Sequence, residues 1–356
     1  MNKAFGARLI DMFSRFRRNP AFTGFVLFMV ALILNAVIQG PSSFFSAKSI
    51  NTLFLTNIPF LLLVMAQGVL LITGTLDVSS GIQLALVNVV TIMTYEEWGI
   101  SFYLAAVLGI IAAIVASLVC WLLVSVFRLP DLLASFALTF AILGVNVIIM
   151  SAPQGRIPNE LFQAYDSILI GFFPASAFAL ILVLLVWFYI KRTSFGSNIY
   201  AVGANPQNAF AAGISTIKVQ FQAFMFKGLV VGIAGICLTL MTASGNPIQG
   251  EALGLRSLAA CIVGGLTFGG WGTMACALFG GGFLILIQNS VYFFFNWLSQ
   301  LLPDIMINTF WHNLFSDTII FLGLLLTIVT AKVQREALRV SIQSKYTFKR
   351  REDHAK

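Results

Sequence analysis

The sequence predicts an all-α fold, a polytopic bundle of about ten transmembrane helices, some of them broken, with both termini cytoplasmic. Three observations predict it. Hydrophobic residues make up 59% of the chain and charged residues only 10%, against roughly 25% charged in average soluble domains. The apolar residues fall in long continuous runs, not on one face of amphipathic segments. The basic residues gather beside alternate ends of those runs. With a mean hydropathy of +0.93, a soluble protein of this size has no wet faces to offer most of its helices. In a bilayer each segment satisfies its own backbone, so the runs are read as helices. The short alternating segments of a membrane β-barrel are absent.

A crossing helix needs roughly 20 apolar residues. Candidate runs lie at 21–39, 50–72, 82–95, 102–127, 132–150, 168–190, 219–241, 253–266, 274–298 and 318–331. The third, eighth and tenth are short, which bounds the count at eight to ten. The chain divides into a cytoplasmic N-terminal segment (1–20), a transmembrane domain (21–331) with a cytoplasmic loop at 191–218, and a basic cytoplasmic tail (332–356). Lys and Arg collect in cytoplasmic loops. With the N-terminus inside, ten crossings also place Arg128, Lys191, Arg192, Lys218 and the basic tail inside, whereas Glu96, Glu97, Glu160, Asp166, Glu251 and Asp304 fall outside. Removing one middle span scatters this pattern.

The net charge of +8 is the positive-inside signal together with contact to anionic headgroups of membrane lipid. No zinc or RNA-binding motif accompanies the basic residues, so no nucleic-acid partner is expected. The N-terminal run lacks a small-residue cleavage site and reads as a retained helix. Cys120, Cys237, Cys261 and Cys276 all lie in apolar runs and read as buried thiols, with no metal site. The histidines are His312 and His354; there is no zincin motif, nucleophile elbow or phosphate loop. No catalytic residue is therefore assigned. The chain is not read as an enzyme, and any ATP it uses must be hydrolysed by another chain.

Ionisable residues inside membranes mark function, and this chain has few. Lys227 stands out; nine residues beyond Lys218, it is expected to snorkel toward the inner surface or to meet a backbone carbonyl. The near absence of Asp and Glu from the runs argues against an ion-coupled carrier.

Two glycine-rich interruptions carry more information. One spans 73–81 and includes Gly74, Asp77, Ser79 and Gly81; the other spans 264–272 and includes Gly264, Gly265, Gly269, Gly270 and Gly272. Each separates apolar runs too close together for a long loop. Small residues let a backbone unwind and pack closely, and broken helices at membrane depth line cavities or face protein. A tight turn between helices is the plainer reading of each. Asp77 is expected to hold its break by accepting backbone N–H bonds.

The loop at 191–218 holds the most specific signal. Asn205 suits an N-cap, Pro206 the first helical position and Gly213 the position after the helix, at positive φ. A helix over 206–212 follows. Two turns are unstable alone in water, so it must dock. Ala209, Ala212 and Gly213 offer a small face, and Phe210 an anchor.

At this loop the chain resembles a known family. Gly203-Ala204-Asn205-Pro206-Gln207-Asn208-Ala209-Phe210-Ala211-Ala212-Gly213-Ile214 resembles the coupling loop of sugar-type ABC importer permeases, the ribose permease group. The segments 73–81 and 263–273 resemble that group's Gly-Gly-Ile-Asp-Leu-Ser-Val-Gly and Val-Leu-Gly-Gly-Thr-Ser segments, in the same order and spacing, over residues 50–330. Thr75 and Ser80 depart from the pattern, as do the Phe-rich spans. The resemblance implies a transmembrane permease in the bacterial inner membrane, moving a small polar solute such as a monosaccharide by alternating access. Its implied partners are cytoplasmic ABC ATPase subunits, which bind ATP and Mg, a second permease subunit (a copy or a paralogue) and an extracytoplasmic solute-binding protein. The permease itself binds no cofactor. Gln67, Asn88, Asn146, Gln288 and Asn289 are candidate pathway residues, each equally suited to helix-to-helix hydrogen bonds. The alternative reading is an ATP-independent channel or facilitator, which has no need of the capped helix.

Overall fold

The computed structural model describes residues 20–170, 173–267, 269–301 and 308–330. The basic N-terminal segment before Pro20 and the tail from 332 lie outside the described residues. The protein is a helical bundle. Its elements are α1 (Ala21–Gln39), α2 (Pro41–Phe44), α3 (Ala47–Thr73), α4 (Ser80–Glu97), α5 (Phe102–Trp121), α6 (Asp131–Ile149), α7 (Asn159–Asp166), β1 (Ile168–Ile170), β2 (Phe173–Pro174), α8 (Ala177–Lys191), α9 (Ser194–Ala204), α10 (Pro206–Ala211), α11 (Thr216–Thr242), α12 (Leu253–Val263), α13 (Met274–Leu301) and α14 (Thr309–Thr330). A π-helical turn, Leu122–Val126, extends α5.

Every predicted apolar run contains a helix, but among the described residues seven helices are long and apolar enough to cross a membrane, or eight if the bent pair α8–α9 counts as one. The expected ten is not reached on that measure, for physical reasons. At 1.5 Å per residue, the 11 residues of α12 rise about half the hydrocarbon thickness. The 18 residues of α4 suffice in length, but Gln83, Asn88, Glu96 and Glu97 make the helix less apolar. The expected span at 168–190 is divided: β1 and β2 pair antiparallel, Ile168 opposite Pro174 and Ile170 opposite Phe173, and α8 begins only at Ala177. Pro174 has no N–H to give and would break a helix begun at 168.

Packing follows from side-chain size. α3, α11 and α13 are mostly buried; α1 and α14 are the least buried of the helices of crossing length. α11 lies against α3, α4 and α5, and glycines allow this. A side chain on Gly228 or Gly232 would strike the α5 backbone at Ile114 or Ile110. The four cysteines are free and buried.

Loops gather at two ends of the bundle. At one end the Pro20 carbonyl abuts Gly265, the Leu76 N–H donates to Asp131, and the Thr327 hydroxyl donates to the Val263 carbonyl. At the other, Gln154 bridges Gly245, the Arg156 N–H donates to Glu96, and Asn51 donates to Asp166. The first described helix thus begins, and the last ends, beside the 264–273 segment.

Candidate functional site

The capped helix forms as its residues require. α9 turns 80° from α8 and ends at Asn205, whose side chain accepts from the Asn208 N–H at 2.9 Å. Pro206 opens α10. The Ile214 N–H returns to the Ala209 carbonyl at 3.0 Å, closing the helix one residue earlier than expected. Gly213 then sits at φ +84°, as the sequence predicted. The expected small docking face is divided. Ala209 is buried against the protein's own bundle, whereas Ala212, Gly213 and Phe210 are exposed, Phe210 by 71%.

The residue that ties this helix to the bundle is Gly203. A Cβ there would overlap the Ile72 carbonyl at the end of α3 and lie 3.0 Å from the Gly270 nitrogen. A Cβ on Gly74 would lie 3.8 Å from the Gly203 Cα, one on Gly269 3.5 Å from the Gly203 carbonyl, and one on Gly270 2.8 Å from the Ala204 nitrogen. Both glycine-rich breaks therefore close on one glycine, two residues before the N-cap of α10.

The first break runs from Gly74, at φ +82°, to Ser79. Asp77 Oδ1 accepts the Ser79 N–H at 2.9 Å, the expected backbone bond, and also the Ser79 hydroxyl. Its Oδ2 does more: Lys227 Nζ lies 2.7 Å away, both side chains fully buried. Lys227 does not snorkel. Its ammonium also donates to Gln83 Oε1 at 2.7 Å and to Ser117 Oγ at 3.0 Å, which uses all three of its hydrogens. Gln67 donates to the Asp77 carbonyl at 2.5 Å, and Asp131 Oδ2 accepts the Leu76 N–H at 3.2 Å.

The second break, 264–273, is held by backbone. Gly265, Gly269, Gly270 and Gly272 are at positive φ, and Thr267 bridges Trp271. A Cβ on Gly264 would overlap the Cys276 carbonyl, and one on Gly280 the Ala260 carbonyl, so α12 and α13 meet main chain to main chain.

A third irregular segment, 243–252, escaped the sequence reading. It begins at Ala243, whose φ of 54° is uncommon for a residue with a side chain. The signal was present in Ser244-Gly245 and Asn246-Pro247, both turn-forming pairs. Asn88 Oδ1 accepts the Asn246 N–H at 2.7 Å while its amide donates to the Ser244 carbonyl at 3.1 Å. Asn146 donates to the Pro247 carbonyl at 3.1 Å. The segment ends where the starts of α4 and α12 meet: a Cβ on Gly81 would clash with Gly250 and Gly254, and one on Gly254 with the Val78 carbonyl.

Beside this junction lies a cavity of about 620 Å³ whose lining includes Val78, Thr139, Gln249, Glu251, Arg256 and Gln288. Arg256 pairs with Asp317 at 2.9 Å. Gln288 Oε1, with its amide turned to face the guanidinium, accepts from Arg256 at 2.8 and 2.7 Å. Of the five pathway candidates, Gln288 alone lines this cavity. Gln67, Asn88 and Asn146 are fully buried and hold irregular backbone, and Asn289 accepts from Gln39 at 2.6 Å.

Residues 49–329 match the family described as branched-chain amino acid transport system / permease component. The chain belongs to this permease family. The permease is 26% identical over 286 residues to the autoinducer 2 import system permease protein LsrC of Photorhabdus luminescens, covering 79% of this chain and 84% of that protein. It is 26% identical over 284 residues to the D-allose transport system permease protein AlsC of Escherichia coli K12, covering 76% and 82%. It is 26% identical over 280 residues to the fructose import permease protein FrcC of Rhizobium meliloti, covering 74% and 75%. No solved structure matches. The permease is thus a multi-pass inner-membrane transport subunit of ABC importer type, not an ATPase.

Proposed function

We propose that this permease carries a monosaccharide or a related small polyhydroxylated compound, and that α10 is the coupling helix through which separate ATPase subunits drive it. One observation carries the reading: α10 projects from the bundle with Phe210 exposed, while Gly203, just before it, touches both breaks. A push on α10 is delivered to the end of α3 and to the second break, between α12 and α13, without passing through a flexible loop. ATP and Mg are bound by the ATPases, whose closure moves α10. A solute-binding protein delivers cargo at the opposite end, and a second permease subunit, a copy or a paralogue, completes the pathway. The loop 191–218 and both termini then face the cytoplasm. The cavity beside Val78 and Gln288 takes the solute; its amides and hydroxyl suit hydroxylated cargo, and import permeases for allose and fructose are among the relatives.

The test is Gly213→Arg. No atom lies within 4 Å of a Cβ built at Gly213, but its φ of +84° disfavours any side chain. The spans are untouched, so abundance stays near normal. Sugar uptake is expected to be lost, and the ATPase to dissociate or to ignore the binding protein. Normal uptake at normal abundance would overturn the coupling role and favour an ATP-independent channel.

A further inference from the structure

The cluster around Lys227 is more than a coupling helix and a solute cavity require. It joins four elements: the first break through Asp77 and Ser79, α4 through Gln83, α5 through Ser117 and α11 through Lys227. The Ser117 hydroxyl donates on to Gln83 Oε1 at 3.0 Å, and Gln83 Nε2 donates to Ser79 Oγ at 2.9 Å. No side-chain polar atom of these five residues is among the buried unpaired ones. The network is closed, so it offers no vacant position to an ion or a solute. Well-packed apolar residues commonly replace a buried ion pair without loss of stability, so packing alone does not call for this one.

Its placement suggests a task. α11 begins at Thr216, three residues after Gly213, and Lys227 lies about 16 Å along its axis at 1.5 Å per residue. Asp77 immediately precedes Val78, which lines the cavity. The break is also fastened to α3 through Gln67 and to α6 through Asp131. It is held at Ser79 by Gln83 of α4, and its backbone meets Gly254 at the Val78 carbonyl and Gly203 at Gly74. Of the side-chain attachments, only the one to α11 is continuous in chain with α10.

We propose that Lys227 is a positioning residue for transport: through its ion pair with Asp77 it makes residues 77–79 move with α11, so displacement of α10 is delivered to the cavity wall at Val78. This rests on the coupling role given to α10.

The experiment uses the full complex of permease, ATPase and binding protein in proteoliposomes, with native cysteines replaced. Single cysteines at Phe210 and Val78 report thiol labelling rates in nucleotide-free and ATP–vanadate-trapped states. Both rates are expected to change several-fold on trapping. In Asp77→Asn with Lys227→Met, which removes both charges together, the Phe210 position should still respond and the Val78 position should not. A Val78 response that survives the paired substitution, or is absent from the parent, overturns the proposal. Loss of response at Phe210 in the parent instead refutes the coupling role of α10. A second measurement keeps the pair intact and holds if the neutral variant does not assemble. Spin labels at Val78 and Leu229 should keep a fixed separation on trapping while the Val78 to Phe140 separation changes. A changed Val78 to Leu229 distance refutes the link.

Discussion

The two glycine-rich breaks are both closed by backbone contact at glycine, and the first adds side-chain anchors. In the first, 74–79, those anchors are Asp77 with Lys227, Asp131 with the Leu76 N–H, and Gln67 with the Asp77 carbonyl. The second, 264–273, is fixed by the absence of side chains, with Gly264 against the Cys276 carbonyl and Gly280 against that of Ala260. Both reach Gly203. Polar anchors define distances yet permit exchange of partners, whereas backbone contact at glycine has only one closed form. The first break is therefore suited to movement and the second to serve as the fixed abutment.

That contrast is open to direct attack. The largest effect is expected at the abutment. Overpacking costs ~1–3 kcal/mol where neighbours can shift; at Gly264→Val the neighbour is main chain, so folded protein in the membrane should fall to background. Normal abundance of this variant would break the contrast. Next is Lys227→Met alone, which strands Asp77 at a cost of about 3–5 kcal/mol. Most of that loss should be regained on adding Asp77→Asn, as melting in detergent will show; a double variant no more stable than the single one denies that the charges compensate each other. Smaller again is Asp131→Ala, which leaves the Leu76 N–H without its acceptor at a cost of ~1–3 kcal/mol. Amide exchange should quicken over 74–79 and stay unchanged over 264–273; equal acceleration in both would show that they are one unit. The smallest change is Asn205→Ala. Loss of an N-cap costs about 1 kcal/mol, so uptake should fall modestly with melting unaltered.

The helices were legible because apolar runs leave no other choice of backbone structure in a bilayer. The short helix α10 was legible because Asn205, Pro206 and Gly213 mark its ends locally. The hydrogen bond from Ser79 to Asp77 is local too. Lys227 was misread because its partner lies 150 residues away, and chain position shows distance to the membrane surface but not what lies across a helix interface. The irregular 243–252 segment was not legible because its turn signals, Ser244-Gly245 and Asn246-Pro247, are local pairs, whereas what holds the segment, Asn88 and Asn146, lies on other helices. Of the polar pathway candidates, Asn88 and Asn146 turn to the Ser244 and Pro247 carbonyls and do not line the cavity; an amide in an apolar run reads the same whether it faces solute or stray backbone.

The junction at Gly203 bears on how the protein is made. The segment carrying α9 and α10 leaves the ribosome while Gly269 and Gly270 are still unsynthesised. Ile72 and Gly74 are by then available, but the other wall of the socket is not, and a two-turn helix is unstable without its seat. On the coupling role proposed for α10, the surface it offers to an ATPase is completed only after the second break has been translated and closed. Docking of a motor subunit on α10 would then report on the integrity of the second break, so a permease truncated before Gly269 should insert and yet recruit no ATPase.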